Sequence, residues 1–209
     1  MNSRLCERLG IQFPLFAFSH CRDVVAEVSK AGGFGVLGVV GHTAESVRIE
    51  LDWLDAHVDG APYAVDLIVP NKLDAKEGGL TPAELEARIP PEHKRHVEKI
   101  LEDHGIDTSS LWSAPIGEGF GDNLREAGAR GVLEEALRRP NVKLVVNALG
   151  VPPPFMMQMA REKGVLVGAL TGAREHALKH AQAGVDLLVA AGGEAGGHCG
   201  EVATMVLVP

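Results

Sequence analysis

The sequence predicts an α/β protein built on a parallel sheet, and two observations carry that reading. Short apolar, β-compatible runs alternate with amphipathic stretches of helical period about six times, with no two strands in succession. One of the runs, 34–40 (FGVLGVV), is apolar throughout, as befits a strand covered on both faces. Alternation of this kind implies parallel strands joined by right-handed crossover helices.

Each element has its own signal. Residues 13–19 are a short apolar stretch introduced by Pro14, the first candidate strand. Residues 22–30 follow as a helix with Val24, Val25 and Val28 at helical spacing, stopped by Ala31, Gly32 and Gly33. The run 34–40 is the second strand. Residues 43–58 open on a threonine suited to an N-cap and place Val47, Leu51, Leu54 and Val58 on one face. The third strand, 63–69, contains one acidic residue, Asp66. A carboxylate inside a buried strand is costly unless it is hydrogen-bonded or sits at the strand end. Capping of a neighbouring loop and contact with a ligand are both open to it.

Residues 71–113 break the rhythm, being long, polar and charged. Thr81, Pro82, Ala83 and Glu84 have the form of a helix start, and Pro90 with Pro91 separates two helical pieces. This is a helical insertion on the loop after the third strand, with a lid and an oligomer contact as the roles open to it. The alternation then resumes with a helix at 123–139 and a strand at 142–149 ended by Gly150. Pro152, Pro153 and Pro154 open the next helix, where Phe155, Met156, Met159 and Ala160 share a face that reads as core. A strand at 165–170, a helix at 173–183 and a strand at 187–190 complete the series.

Two architectures fit this order, an open doubly wound sheet and a (β/α)8 barrel of which about six units are present. No G-x-G-x-x-G follows the first strand, which counts against a dinucleotide-binding sheet. In a barrel, ligands gather where strands end. Those ends are 18–20, 40–41, the region of Val69, 149–150, 170–171 and a glycine-rich loop after the last strand. That loop, within 186–201 (DLLVAAGGEAGGHCGE), has glycine at 192, 193, 196, 197 and 200 around a single histidine, His198. Glycine in such numbers serves positive φ or a close approach. The imidazole suits a general acid or base held against a flat ligand, and equally a solvated side chain on a flexible turn.

Composition narrows the classes. The chain has 209 residues, 45% of them hydrophobic, enough to core a single domain. A net charge of -8 argues against a nucleic-acid surface. No apolar run approaches the ~18 residues that span a bilayer. The N-terminus carries charges where a signal peptide needs an apolar core, so a cytoplasmic protein is expected. Cys6, Cys21 and Cys199 are too few and too scattered for a disulfide framework or a zinc site. His176 and His180 stand at i, i+4 without a third ligand and read as a solvated helix face, as do Glu92, His93 and His96. His20, at the end of the first strand, is the best second histidine for the site. Glu194 is expected to order the glycine loop by accepting backbone hydrogen bonds, and Cys199 to be a bystander.

With these residues in view, the sequence resembles the nitronate monooxygenase family. The resemblance is carried by KAGGFGVLG (30–38), AVDLIVP (64–70) and, most specifically, GGEAGGHCGE (192–201), in register over essentially the whole chain. It implies an FMN-dependent (β/α)8 barrel of the TIM type, with 1–209 as one barrel domain and 71–113 as a helical insertion within it. It also implies a flavin oxidoreductase that oxidises alkyl nitronates with O2. Position by position, His198 matches the active-site base, acting on the carbon α to the nitro group or orienting substrate over the flavin N5. Ala17 and Phe18 would lie along the isoalloxazine ring, Leu170 would face it, and Gly192 and Gly196 would contact FMN. Asp66 stands where many members have asparagine, and Ala191 where many have glutamine. An anionic side chain near reduced flavin would disfavour the flavin's anionic form, and Ala191 lacks two hydrogen-bonding groups. Family members continue through two more strands and the phosphate-binding loops that follow them. This chain is therefore expected to be an incomplete barrel that binds FMN weakly or not at all, with a small-molecule substrate, no metal and room for a homo-oligomer. An NAD(P)H-dependent flavin reductase of quinones or enoyl thioesters is the alternative enzyme, and a silent fragment or binding module the alternative outside catalysis.

Overall fold

Strand order decides between the two architectures. The computed structural model describes residues 3–69, 86–113, 126–197 and 199–208. Its strands are β1 (Phe16–Ser19), β2 (Phe34–Gly38), β3 (Tyr63–Leu67), β4 (Val142–Asn147), β5 (Leu166–Thr171) and β6 (Leu187–Ala190). They form one sheet in the order β1-β2-β3-β4-β5-β6, every pairing parallel. A doubly wound sheet reverses direction about its first strand. Here each strand lies beside its sequence neighbour, and the sheet curls as a half-barrel with helices on its outer face.

The helices are α1 (Arg4–Leu9), α2 (Arg22–Lys30), α3 (Ala44–His57), α4 (Pro91–Asp103), α5 (Glu126–Leu137), α6 (Pro154–Glu162), α7 (Arg174–Ala183) and α8 (Thr204–Leu207). α3 begins with a capping box in which the Thr43 side chain accepts from the Ser46 N–H and the Ser46 side chain accepts from the Thr43 N–H. It buries Val47, Leu51 and Leu54, as the periodicity predicts. α2 lies so close to the sheet that a Cβ at Gly35 would meet the Val25 carbonyl oxygen at 2.3 Å, so only glycine fits there.

Two apolar clusters lie on opposite faces of the sheet. The outer one joins α2, α3, α5 and α6 to the strands through Val25, Leu51, Leu54, Leu133, Val145 and Met156 among others. The inner one contains Phe34, Val36, Ala64, Leu144 and Val146, packed with Cys6, Leu9 and Ile11 from α1 and the residues after it. α1 is absent from the sequence-based reading, although its signals are present. The Ser3 side chain caps the Cys6 N–H, and Gly10 closes the helix in the left-handed region at φ 72°.

By contacts the chain divides into two units, and all six strands lie in the one that spans Met1–Asn71 and Gly121–Pro209. The other, Lys72–Phe120, carries α4, which has no buried residue. Lys94 there pairs with Glu86 at 2.7 Å and lies 4.9 Å from the centre of the Trp112 ring. Glu92, His93 and His96 are exposed. The helix start expected at Thr81 lies outside the described residues.

Candidate active site

Alternate residues of a strand share a face. Phe16, Phe34, Val36, Ala64, Leu144, Val146, Leu166, Leu170 and Leu187 all belong to the inner cluster. Two residues further along their strands, the same face continues through Phe18, Gly38 and Asp66 at the C-terminal ends. α1 packs into the inner cluster through Cys6 and Leu9. The C-terminal half is where a ligand would sit.

Gly38 makes room there. A Cβ on it would lie 2.6 Å from the tip of the Phe18 ring and 2.7 Å from the His20 ring, so any side chain would displace both. Those two rings meet edge to face at 5.1 Å, and His20 Nδ1 is 3.0 Å from the Gly38 carbonyl oxygen, within hydrogen-bonding reach. Phe18 remains 56% exposed, a large apolar side chain presented on the inner face. Ala17 pairs in register with Gly35, against which α2 packs, so it offers the inner face its backbone alone. In the sequence Gly38 is only a small residue inside the apolar run 34–40.

Asp66 is the anomaly. It pairs with Gly38 on one side and Val146 on the other, is only 7% exposed, and its Oδ1 has no hydrogen-bond partner among the described residues. Among the described residues it caps no loop. Burial pushes its pKa up to about 7, with no neighbouring charge to oppose the shift. The direction of that shift favours the neutral acid over the anionic side chain considered from the sequence.

The loop after β6 is tied to the end of β5, to itself and to the start of α8. The Ala191 N–H donates to the Thr171 carbonyl at 2.8 Å, and its carbonyl accepts from the Gly200 N–H at 2.9 Å. The Gly192 N–H donates to Thr204 Oγ1 at 3.1 Å, and the Gly193 N–H to the Val202 carbonyl at 3.0 Å. Glu194 accepts from the Thr204 N–H at 3.0 and 3.1 Å, ordering the loop as expected. Its own backbone N–H and then the Thr204 hydroxyl and N–H hold its carboxyl below the usual range. A Cβ on Gly200 would lie 2.3 Å from the Gly172 carbonyl oxygen, so the loop and the end of β5 touch backbone to backbone. Gly196 faces open space, and Cys199 is exposed. His198 lies outside the described residues.

Leu170 packs on the inner cluster, and its carbonyl accepts from His180 Nε2 at 3.1 Å. His180 is only 1% exposed, which overturns the solvated face expected for it. Desolvation holds its pKa low, although the Leu170 bond partly opposes this. The i, i+4 spacing with His176 is real, but α7 is rotated so that one ring faces the sheet and the other solvent. Among the described residues no three His, Cys, Asp or Glu side chains group as metal ligands, and no helix is long and apolar enough to cross a membrane.

The nitronate monooxygenase family model matches residues 2–209. The chain belongs to that family. It is 46% identical, over its whole length, to a Mycobacterium tuberculosis protein that carries a monooxygenase name, and covers 56% of that protein. Among solved structures, nitroalkane oxidase from Streptomyces ansochromogenes superposes with a TM-score of 0.64 at 25% identity, over 95% of this chain and 51% of that one. FabK from Thermotoga maritima superposes with a TM-score of 0.62 at 21% identity, over 99% of this chain and 49% of that one, a likeness of fold. The chain thus spans about half the length of the relatives it matches.

Proposed function

We propose that the inner face is the floor of an FMN site, and that the protein is a flavin-dependent oxidoreductase acting on alkyl nitronates. One observation carries the reading. An exposed aromatic ring, Phe18, and a buried carboxyl oxygen of Asp66 without a partner among the described residues share one face at the C-terminal strand ends, at the end of the sheet where the glycine loop follows β6. Barrel enzymes place their ligands at that end. A flat heteroaromatic ring has an apolar face for Phe18 and the Ala17 backbone, and a polar edge for Asp66. Leu170, Ala191, Gly192 and Gly196 would border it. The Ala191 and Gly192 N–H groups are spent on the Thr171 carbonyl and the Thr204 hydroxyl, so those residues would offer surface rather than donors. The bound flavin would supply electron acceptance, and the protein its orientation and proton handling. His198 takes the proton-accepting role toward the carbon beside the nitro group, with His20 a further imidazole on the same rim. Family membership and the likeness to nitroalkane oxidase support this assignment.

Titration of FMN into the full chain, read by fluorescence quenching, resolves weak as well as tight binding. Quenching by the wild type only at high FMN concentration, and anaerobic bleaching by an alkyl nitronate that is lost in His198→Ala, are expected. Bleaching by NAD(P)H without a nitro compound would assign the flavin reductase activity instead. No quenching at any concentration would remove the flavin reading.

A further inference from the structure

We infer that Asp66 serves as a neutral carboxylic acid that donates its O–H to an acceptor atom on the edge of the bound ligand, so that ligand affinity falls as Asp66 ionises. The identity of the ligand as a flavin rests on the reading above, while the state of Asp66 rests on its surroundings. An ionised carboxylate can only accept, whereas a protonated one donates from one oxygen and accepts at the other. A buried carboxylate without donors or cations is strongly disfavoured.

Among the described residues, the neighbours of Asp66 supply neither. β2 brings Phe34, Val36 and Gly38 to this face, and β4 brings Leu144 and Val146, none of them titratable. From the loop after β1, His20 turns Nδ1 to the Gly38 carbonyl. After β2, His42 places Nδ1 at 3.2 Å from the Ser46 hydroxyl. The neighbouring Asn147 spends its amide on the Val69, Leu149 and Gly150 backbone. On α1, Arg8 pairs with Asp186 at 3.2 Å. Raised to about 7 by burial alone, Asp66 is poised to change state across neutrality. The chemical class that satisfies it is a planar heteroaromatic with a carbonyl or ring nitrogen at its edge. A carboxamide has the same shape and the same pairing of donor with acceptor, so Asp66→Asn keeps the contact and loses the pH response.

The test uses the full chain with FMN as probe. The Asp66 carboxyl carbon, assigned by its absence in Asp66→Asn, is followed by carbon NMR through a pH titration without ligand. FMN affinity is then measured by fluorescence quenching for the wild type, Asp66→Asn and Asp66→Leu. A carboxyl midpoint near neutrality is expected, with wild-type affinity falling roughly tenfold per pH unit above it. Asp66→Asn should bind at one level throughout, and Asp66→Leu weakly throughout. A midpoint in the ordinary carboxylate range, or equal pH slopes in wild type and Asp66→Asn, overturns the inference and leaves the flavin reading intact wherever FMN binds. No FMN binding by any of the three proteins, with the carboxyl still titrating near neutrality, removes the flavin reading and the ligand contact with it.

Discussion

Asp66 and Asn147 are both buried polar residues on adjacent strands, one register position apart, yet the fold treats them oppositely. Asn147, in the strand stretch whose register brings it opposite Leu67, accepts from the Val69 N–H at 2.8 Å. It donates toward the Val69, Leu149 and Gly150 carbonyls at 3.2, 3.0 and 3.1 Å. That amide ties together the chain leaving β3 and the chain leaving β4. Asp66, on the inner face, has an Oδ1 without a partner among the described residues. Buried polar groups are almost always paired, so beside the fully bonded Asn147 the unpaired oxygen of Asp66 fits the ligand contact proposed for it. The two residues separate what the sheet needs for stability from what it keeps for a ligand.

Changing Asp66 should give the largest effect and would break the comparison most directly. Its folded pKa of about 7 lies above its ordinary value of 3.8, so between them the folded state holds a proton that the unfolded chain has released. Stability is then fully present below about pH 4 and declines as pH rises toward 7. The full span corresponds to no more than about 4 kcal/mol. Asp66→Asn should therefore be more stable than wild type at pH 8 and nearly equal to it in acid, as urea melts at the two pH values would read. Equal stability of both proteins at pH 8 would mean that the Asp66 carboxylate finds a partner in solution.

Asn147→Ala should move stability the other way at every pH, by about 2–3 kcal/mol. It strips the buried Val69 N–H of its acceptor and loosens two strand ends together. A smaller change would place water where the amide now sits. His180→Gln sharpens the comparison further, with an expected loss of about 1–2 kcal/mol at pH 8 from a weakened grip on the Leu170 carbonyl. The folded pKa of His180 is depressed below 6.5, so the wild type should lose stability as pH falls below that value. The variant should lack that acid-side decline, opposite in sign to the Asp66 effect, and urea melts across the acid range would show whether it does.

Much of the fold is legible locally. The threonine before α3, the glycines after α2 and the prolines before α6 act on their own turns, so their reading needs no knowledge of distant residues. The limits of β6 follow from a run of four apolar-rich residues between Asp186 and the glycines. The glycine loop is equally visible, and Glu194 does accept the backbone bond expected of it. α1 escaped because six residues are too few for a periodic signal, and only its caps betray it.

The sequence by itself determined the alternation of strands and helices, because period and capping are local properties. It also determined the side chains available at each strand end. Tertiary structure alone decided the order of the strands, which made a curled sheet of what could have been a doubly wound one. It decided that one member of the His176 and His180 pair is buried and the other exposed. It decided, too, that Asp66 Oδ1 has no partner among the described residues. That absence depends on every described segment packed near the carboxyl, and no local pattern contains it.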